Sequence, residues 1–207
     1  MRHTKTRGRD PDTTRCSALD AAQRLFAEKG FAGSSMREIA AVSGVSQPLI
    51  YYHFGSKEGL YSAVKERLMK EGLRAILPGG SDSLETAPGA IELIRTTYNF
   101  VSGNEDLMRL VAWAHLEREN TPWPGEAEFT LAAANHIQRR LSDSVLRKSV
   151  DPLIATIMIE ALIFFWSANR RYYASIFDEP LEKITERYLD QIADLFFRDT
   201  PARKDKE

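Results

Sequence analysis

The sequence predicts an all-α protein of about nine helices, an N-terminal three-helix head with a helix-turn-helix and a larger helical body. Three observations carry this. Apolar residues recur at three- and four-residue spacing along most of the 207 residues, which is the helical period. No run alternates apolar and polar residues as a half-buried strand does. Breaks at Pro78-Gly79-Gly80-Ser81-Asp82-Ser83, Gly103-Asn104, Pro122-Trp123-Pro124-Gly125 and Asp178-Glu179-Pro180 leave segments of helical length between them.

A chain of this length holds one large or two modest domains. Its net charge is near zero, but the distribution is uneven. Residues 1–75 carry 13 Lys and Arg against 8 Asp and Glu, and the remainder carries 15 against 21. A basic head on an acidic body fits a protein that presents one end to phosphates. The single cysteine, Cys16, excludes an intramolecular disulfide and any multi-cysteine metal site, and it is expected to be a buried or inert thiol. The N-terminus has charges but no apolar signal core. The most hydrophobic run, residues 152–168, is shorter than the ~20 residues of a membrane span and contains Glu160. Together these features predict a cytoplasmic protein with no membrane partner.

Residues 1–12 carry Arg2, Lys5, Arg7 and Arg9 with no acid before Asp10, and without apolar periodicity they are expected to be a disordered arm. Such an arm follows a DNA backbone or enters a minor groove, or it is a solvated tail. The sequence supports both readings equally. Residues 13–29 form the first helix, capped by Thr13 or Thr14, with Leu19, Ala22, Leu25 and Phe26 inward and Gly30 ending it. Phe31 joins the same core.

Residues 35–57 then read as two short helices around a tight turn. Ser35 and Glu38 make a capping box, each side chain satisfying a free N–H of the other residue. Ile39, Ala40 and Val42 are the apolar residues of the first helix, Gly44 ends it and Val45 plugs the turn. Ser46 caps the second helix, whose first turn tolerates Pro48. That helix, residues 47–53, has only Ile50 and the adjoining Phe54 as apolar anchors, four apart on one face, while Gln47, Tyr51, Tyr52 and His53 occupy other positions. A seven-residue helix is roughly 10 Å long, and the B-DNA major groove is about 12 Å wide. The pattern is a helix-turn-helix whose second helix offers polar and aromatic groups to DNA.

Four stretches make the likeness specific: Ala21-Ala-x-x-Leu-Phe-Ala-Glu-Lys-Gly-Phe31, Ser35-Met-Arg-Glu-Ile-Ala40, Gly44-Val-Ser-Gln-Pro-Leu-Ile-Tyr-Tyr-His-Phe54 and Ser56-Lys-Glu-Gly-Leu60. In this order and spacing, residues 18–60 resemble the DNA-binding domain of the TetR (tetracycline-repressor) family of transcriptional regulators. The resemblance implies a dimeric regulator, most simply a repressor, and implies DNA contacts at matching positions. Gln47 would bond an adenine edge. Pro48 and Leu49 would meet a thymine methyl. Tyr51, Tyr52 and His53 would bond phosphates. Lys57 would add charge at a helix N-terminus that already favours phosphate. Ser35, Arg37 and Ser46 complete the implied set. The family often has Gly or Ala near positions 48 and 49, so Pro48 and Leu49 point to a particular operator preference. Either tyrosine also suits core packing, and one of the two is expected to be partly buried.

Residues 56–77 form a fourth helix with Leu60, Val64, Leu68 and Ile76 inward, and the resemblance implies that it links head to body. Helices follow over residues 88–102 (Ile91, Ile94, Tyr98, Val101 inward), 105–120 (Leu107, Leu110, Val111, Ala114, Leu116), 126–147 and, from the Asp151-Pro152 cap, to about 176. The last helix, residues 181–198, carries a stripe of Leu181, Ile184, Tyr188, Ile192 and Leu195. The expected domains are thus an arm (1–12), a helix-turn-helix domain (13–57), an effector-binding and dimerisation body (58–200) and a charged tail (201–207).

Between Leu153 and Phe165 the long helix is apolar on every face except at Thr156 and Glu160. A helix apolar all round must be covered all round. A homodimer through this helix and the last one does that, and the resemblance implies the same four-helix interface. A deeply buried central helix in a monomer is the alternative.

The family's bodies hold a pocket where a small ligand shifts the balance between DNA-competent and splayed states. Candidate lining here is Tyr98, Trp113, His115 and Phe129, with His136, Phe165, Trp166, Asn169 and Tyr173 further along. Aromatics at helical spacing also serve as plain core. A lone His115–Glu119 pair is no metal site, and no cofactor is implied. No nucleophile motif or phosphate-binding glycine loop supports an enzyme. The rival reading is a DNA-binding regulator governed by a protein partner or acting without an effector.

Overall fold

The computed structural model describes residues 11–76, 90–141 and 150–197. The break at 78–83, most of the basic arm, the end of the 126–147 helix and the tail 201–207 lie outside them. The described residues form nine helices: α1 (Pro11–Gly33), α2 (Met36–Ser43), α3 (Gln47–Phe54), α4 (Lys57–Ile76), α5 (Ala90–Gly103), α6 (Glu105–Leu116), α7 (Glu126–Leu141), α8 (Pro152–Phe177) and α9 (Leu181–Phe196). They divide into two compact units, the first within Met1–Leu68 together with Arg109–Trp123, the second within Met69–Met108 and Pro124–Glu207. The divisions fall inside α4, inside α6 and between α6 and α7.

The core of the first unit is the set of inward residues that the periodicity picks out. Leu19, Ala22, Leu25 and Phe26 of α1, Ile39 of α2, Ile50 of α3 and Leu60, Val64 and Leu68 of α4 are all buried. Tyr61 meets Phe26 edge-on at 5.0 Å and Phe31 at 5.1 Å. The predicted stop at Gly30 is a kink (φ 73°, ψ 177°), after which one more turn runs to Gly33. The Ser34 hydroxyl secures it, donating to the Gly30 carbonyl at 2.8 Å and the Leu25 carbonyl at 3.1 Å. Cys16 is exposed on α1, so of the buried or inert thiol expected the first alternative is excluded.

In the second unit α8 packs against α5, α7 and α9, and α5 also packs against α9. Asp151 caps α8, its carboxylate accepting from the N–H groups of Leu153 (2.9 Å) and Ile154 (3.0 Å). α8 is unbroken for 26 residues, so by length and composition it passes for a membrane span, which the apolar run alone did not. Three of its polar groups are tied inside the unit. Trp166 Nε1 donates to Thr185 Oγ1 at 3.1 Å, Arg170 to the Ser102 carbonyl at 3.3 Å, and Tyr188 of α9 donates to the Leu162 carbonyl at 3.0 Å. Its other face carries Ile154, Met158, Ala161, Phe165, Ala168 and Tyr172, all exposed, at alternating four- and three-residue steps.

Two inward positions of the sequence reading turn outward. Leu116 is 72% exposed because α6 ends there and Arg118 takes a left-handed conformation (φ 57°), reversing the chain four residues before the predicted end. Leu195 is 58% exposed. The buried line of α9 runs through Thr185, Leu189, Ile192 and Phe196, and at 3.6 residues per turn position 195 rotates off it.

Candidate nucleic-acid interface

The geometry begins with the caps. The Ser35 hydroxyl accepts from the Glu38 N–H at 3.2 Å. The reciprocal half of the predicted box is missing, because the Glu38 carboxylate bonds the Lys29 ammonium of α1. That bond holds Lys29 above its ordinary pKa, with the Glu38 charge as the second cause. Gly44 closes α2 in the left-handed region (φ 65°), its N–H donating to the Ala40 carbonyl, and Val45 is buried in the turn.

Ser46 stands at the N-cap of α3 but makes no side-chain cap bond. Pro48 occupies a position whose N–H would be capped, and the Leu49 N–H goes to the Ser46 carbonyl at 3.0 Å. Ser46 is exposed. Ile50 is the one buried residue of α3. Pro48, Leu49, Tyr51 and Tyr52 are exposed, and Gln47 and His53 are half-buried. Tyr52 is 82% exposed and Tyr51 42%, so Tyr51 is the better covered of the two. The His53 ring sits 5.4 Å from Tyr52 and 6.2 Å from Phe54.

The start of α4 closes against the end of α3. A Cβ on Gly59 would stand 2.1 Å from the Phe54 carbonyl oxygen, so only glycine fits. Ser56 caps this helix, accepting from the Gly59 N–H at 3.0 Å. Lys57 holds its ammonium 4.4 Å over the Phe31 ring. Glu58 shares this turn, its carboxyl held below the ordinary range by its own backbone N–H first and Ser56 second. Ser35 and Arg37 are exposed on α2. Arg15 of α1 lies 5.4 Å over the Phe54 ring. The sequence reading passed over it, although it is a cation one turn into the first helix.

The end of α6 and the segment after it clip onto α1 and α4. Trp113 Nε1 donates to the Ala27 carbonyl at 3.1 Å, and the Ala32 N–H donates to Glu117 Oε1 at 3.0 Å. The buried Lys65 bonds Glu119, and its ammonium lies 4.4 Å over the Tyr61 ring and 5.6 Å over the Trp123 ring. The helix-turn-helix is thus held from behind by residues far along the chain.

Residues 18–64 match the family described as bacterial regulatory proteins, tetR family. Over 207 aligned residues the chain is 25% identical to the HTH-type transcriptional repressor NicS of Pseudomonas putida, covering 95% of this chain and 97% of that one. Residues 18–64 are thus a DNA-binding head of the tetR type. With it the protein is a helix-turn-helix, DNA-binding transcriptional regulator. Solved structures share the fold. The regulator SCO4942 from Streptomyces coelicolor superposes with a TM-score of 0.71 at 21% identity, covering 88% of this chain and 98% of that one. The regulator FadR from Bacillus subtilis, in complex with stearoyl-CoA, gives 0.65 at 17% identity, covering 86% and 97%.

The candidate ligand residues are divided between the two units. Phe165, Trp166, Asn169 and Tyr173 share α8, and the Asn169 amide donates to the Phe165 carbonyl at 2.8 Å. Tyr98 is half-buried on α5, and Phe129 of α7 packs on Ile76 with Phe100 and Leu93. Trp113 and His115 belong to the first unit, Trp113 in the clip and His115 exposed. The His136 side chain lies outside the described residues.

Proposed function

We propose that the protein is a homodimeric, cytoplasmic repressor that holds a near-palindromic operator through α3 and releases it when a small, mostly apolar effector occupies the helical body. The observation that carries the reading is α3 itself. A helix of 8 residues that buries Ile50 alone has almost no packing role, while Gln47, Pro48, Leu49, Tyr51 and Tyr52 are left to a partner. Gln47 reads a base edge, Pro48 and Leu49 meet base methyls, and Ser35, Arg37, Ser46, Tyr51, Tyr52, His53 and Lys57 fix phosphates and register. Arg15 extends the phosphate set along α1.

The dimer joins two copies through α8 and α9. The exposed seam of α8 recurs at steps of four and three residues, so it stays on one side of the helix along its length, where another helix can lie against it. Two reading helices then enter successive major grooves about 34–36 Å apart. The arm (1–12) adds charge to the helix-turn-helix (13–57). The body (58–200) carries the effector site and the dimer face. The stearoyl-CoA in the Bacillus subtilis regulator supports a body that takes apolar molecules.

The test is selection of bound sequences from a random DNA pool by purified protein at near-physiological salt. An enriched near-palindrome with half-sites one helical turn apart is the expected result. Binding without any enriched sequence, lost as salt rises, leaves only phosphate attraction and sinks the proposal. Gln47→Ala is expected to cost roughly 1–3 kcal/mol on the selected site and relax one position, and Lys57→Ala to weaken all sequences alike. Uniform losses in both variants would remove Gln47 from base reading.

A further inference from the structure

Two buried oxygens of α8 have no hydrogen-bond partner among the described residues, Oε1 of Glu160 and the Ser167 hydroxyl. Both stand on one line of the helix. Thr156, Glu160, Ile163 and Ser167 follow at steps of four, three and four residues, on the side opposite the exposed seam that runs from Ile154 to Tyr172. Thr156, Ile163 and Ser167 are buried, so the line faces into the second unit and stays clear of the surface assigned to the second copy.

The neighbours of the line come from two helices. Arg170, three residues past Ser167, donates to the Ser102 carbonyl of α5 at 3.3 Å. Among the described residues the charge that acts on Glu160 is that of Glu126, at the start of α7. The Ser167 end therefore borders α5 and the Glu160 end borders α7.

Neither oxygen is treated as its type ordinarily is. A helical hydroxyl donates to the carbonyl four residues back, as Thr156 does to Pro152 at 2.9 Å. Ser167 makes no such bond, although it is only 7% exposed. A buried carboxylate calls for a cation. Arg170, the first cation along α8, is spent on the Ser167 and Ser102 carbonyls. Burial first, and then the Glu126 charge, holds the Glu160 carboxyl above its ordinary range. The complement of the pair is a guest with a positive charge at one end and a hydrogen-bonding group at the other. Seven residues of helix set the two groups roughly 10 Å apart. The wholly buried Ile163 lies between them, so the middle of the guest is apolar. Glu160 keeps partial exposure, which makes its end the entrance. The less exposed residues of α7 include Thr130, Ala133 and Ala134, all small, so a slender chain entering between α7 and α8 displaces few atoms.

We propose that this inner line of α8 binds a slender amphiphilic amine, its ammonium on the Glu160 carboxylate and a hydroxyl at its far end on the Ser167 hydroxyl, with an alkyl chain between. The inference rests on the effector reading above and gives that effector a chemical class and a direction, charged end toward the start of α7 and neutral end toward α5.

The experiment titrates the full-length protein with 8-amino-1-octanol by calorimetry at pH 8, where the amine is protonated and Glu160 has released its proton. Octane-1,8-diol lacks the charge and octylamine lacks the hydroxyl. The expected result is one aminooctanol per chain, with the diol at least about tenfold weaker and octylamine about fivefold weaker. Glu160→Gln should abolish the preference over the diol, and Ser167→Ala the preference over octylamine. A merely structural role would move neither preference. The two comparisons on the wild type decide the matter even where a variant fails to fold. No aminooctanol heat at millimolar concentration, a diol that binds as tightly, or folded variants that keep both preferences each overturn the proposal. The two readings fail separately. A protein that selects an operator but ignores aminooctanol keeps its regulator role and loses this site. One that binds aminooctanol through Glu160 without releasing DNA keeps the site and loses the effector role.

Discussion

The two units differ in how they leave apolar surface in water. In the first, Phe26, Ile39, Ile50, Leu60 and Val64 are fully enclosed, and the large apolar residues left on α3 cover barely more than one turn, from Leu49 to Tyr52. In the second, α8 exposes Leu153, Ile154, Ile157, Met158, Phe165, Tyr172, Ile176 and Phe177, from one end of its 26 residues to the other. A short patch suits a groove that admits one or two turns of helix. A stripe the length of a long helix suits another helix. The proposed reading surface and the proposed association surface thus differ in length as their proposed partners do.

The comparison breaks most severely if the first unit is not closed by its clip. Lys65→Met leaves Glu119 without its buried partner, and the expected loss is about 3–5 kcal/mol in urea unfolding. A loss below about 1 kcal/mol would show the clip to be ornamental. Exchanging the charges, Lys65→Glu with Glu119→Lys, should recover part of the loss.

Next in size is Glu160 of α8. Burial, and secondarily the charge of Glu126, pushes its carboxyl up to about 7 from 4.5. One of its oxygens has no hydrogen-bond partner among the described residues. The unfolded chain releases this proton near 4.5 and the folded chain near 7, so the folded state binds more protons in between. Stability should fall as pH rises through that window, by up to about 3 kcal/mol, and stay lower above it. Glu160→Gln should flatten the slope and raise the melting temperature at pH 8. An unchanged slope would clear Glu160 of the cost.

A smaller effect should come from the seam. Ala161→Glu sets two carboxylates against each other where α8 meets its copy, and dimer dissociation is expected to become about 2 kcal/mol easier by sedimentation. The isolated chain should keep its circular dichroism, since Ala161 is already exposed. A dimer indifferent to this change would move the association surface elsewhere. Least costly is Ser35→Ala, which removes the α2 cap for ~1 kcal/mol in urea unfolding and should leave α8 and its dimer untouched.

Local chemistry explains what the sequence made legible. Ser35, Gly44, Pro48 and Gly55 mark the ends of α2 and α3 within a residue, and the spacing of Ile50 and Phe54 shows which face of α3 turns inward. Asp151-Pro152 places the start of α8 in the same way. What stayed hidden depends on distance along the chain. The Lys65–Glu119 pair spans 54 residues, and the Ala32–Glu117 bond spans 85. No spacing rule reaches that far. Glu38 looked like half of a capping box because its partner Lys29 sits on another helix. Leu116 turns outward because α6 ends there, and Leu195 because a fixed three- and four-residue spacing drifts off the 3.6-residue period near the helix end.

The kink at Gly30 has a bearing on how the protein can be taken apart. A Cβ there would lie 2.7 Å from Glu117 Oε1 and 2.8 Å from the Trp113 ring. The end of α1 and the end of α6 fit closely against each other at that point. A chimera that exchanges DNA-binding heads between relatives by cutting once, after the third or fourth helix, would set the new Gly30 against the old Trp113 and Glu117. A workable exchange carries two pieces, the N-terminal helices and residues 109–123, even though residues 69–108 of the second unit separate them in the gene.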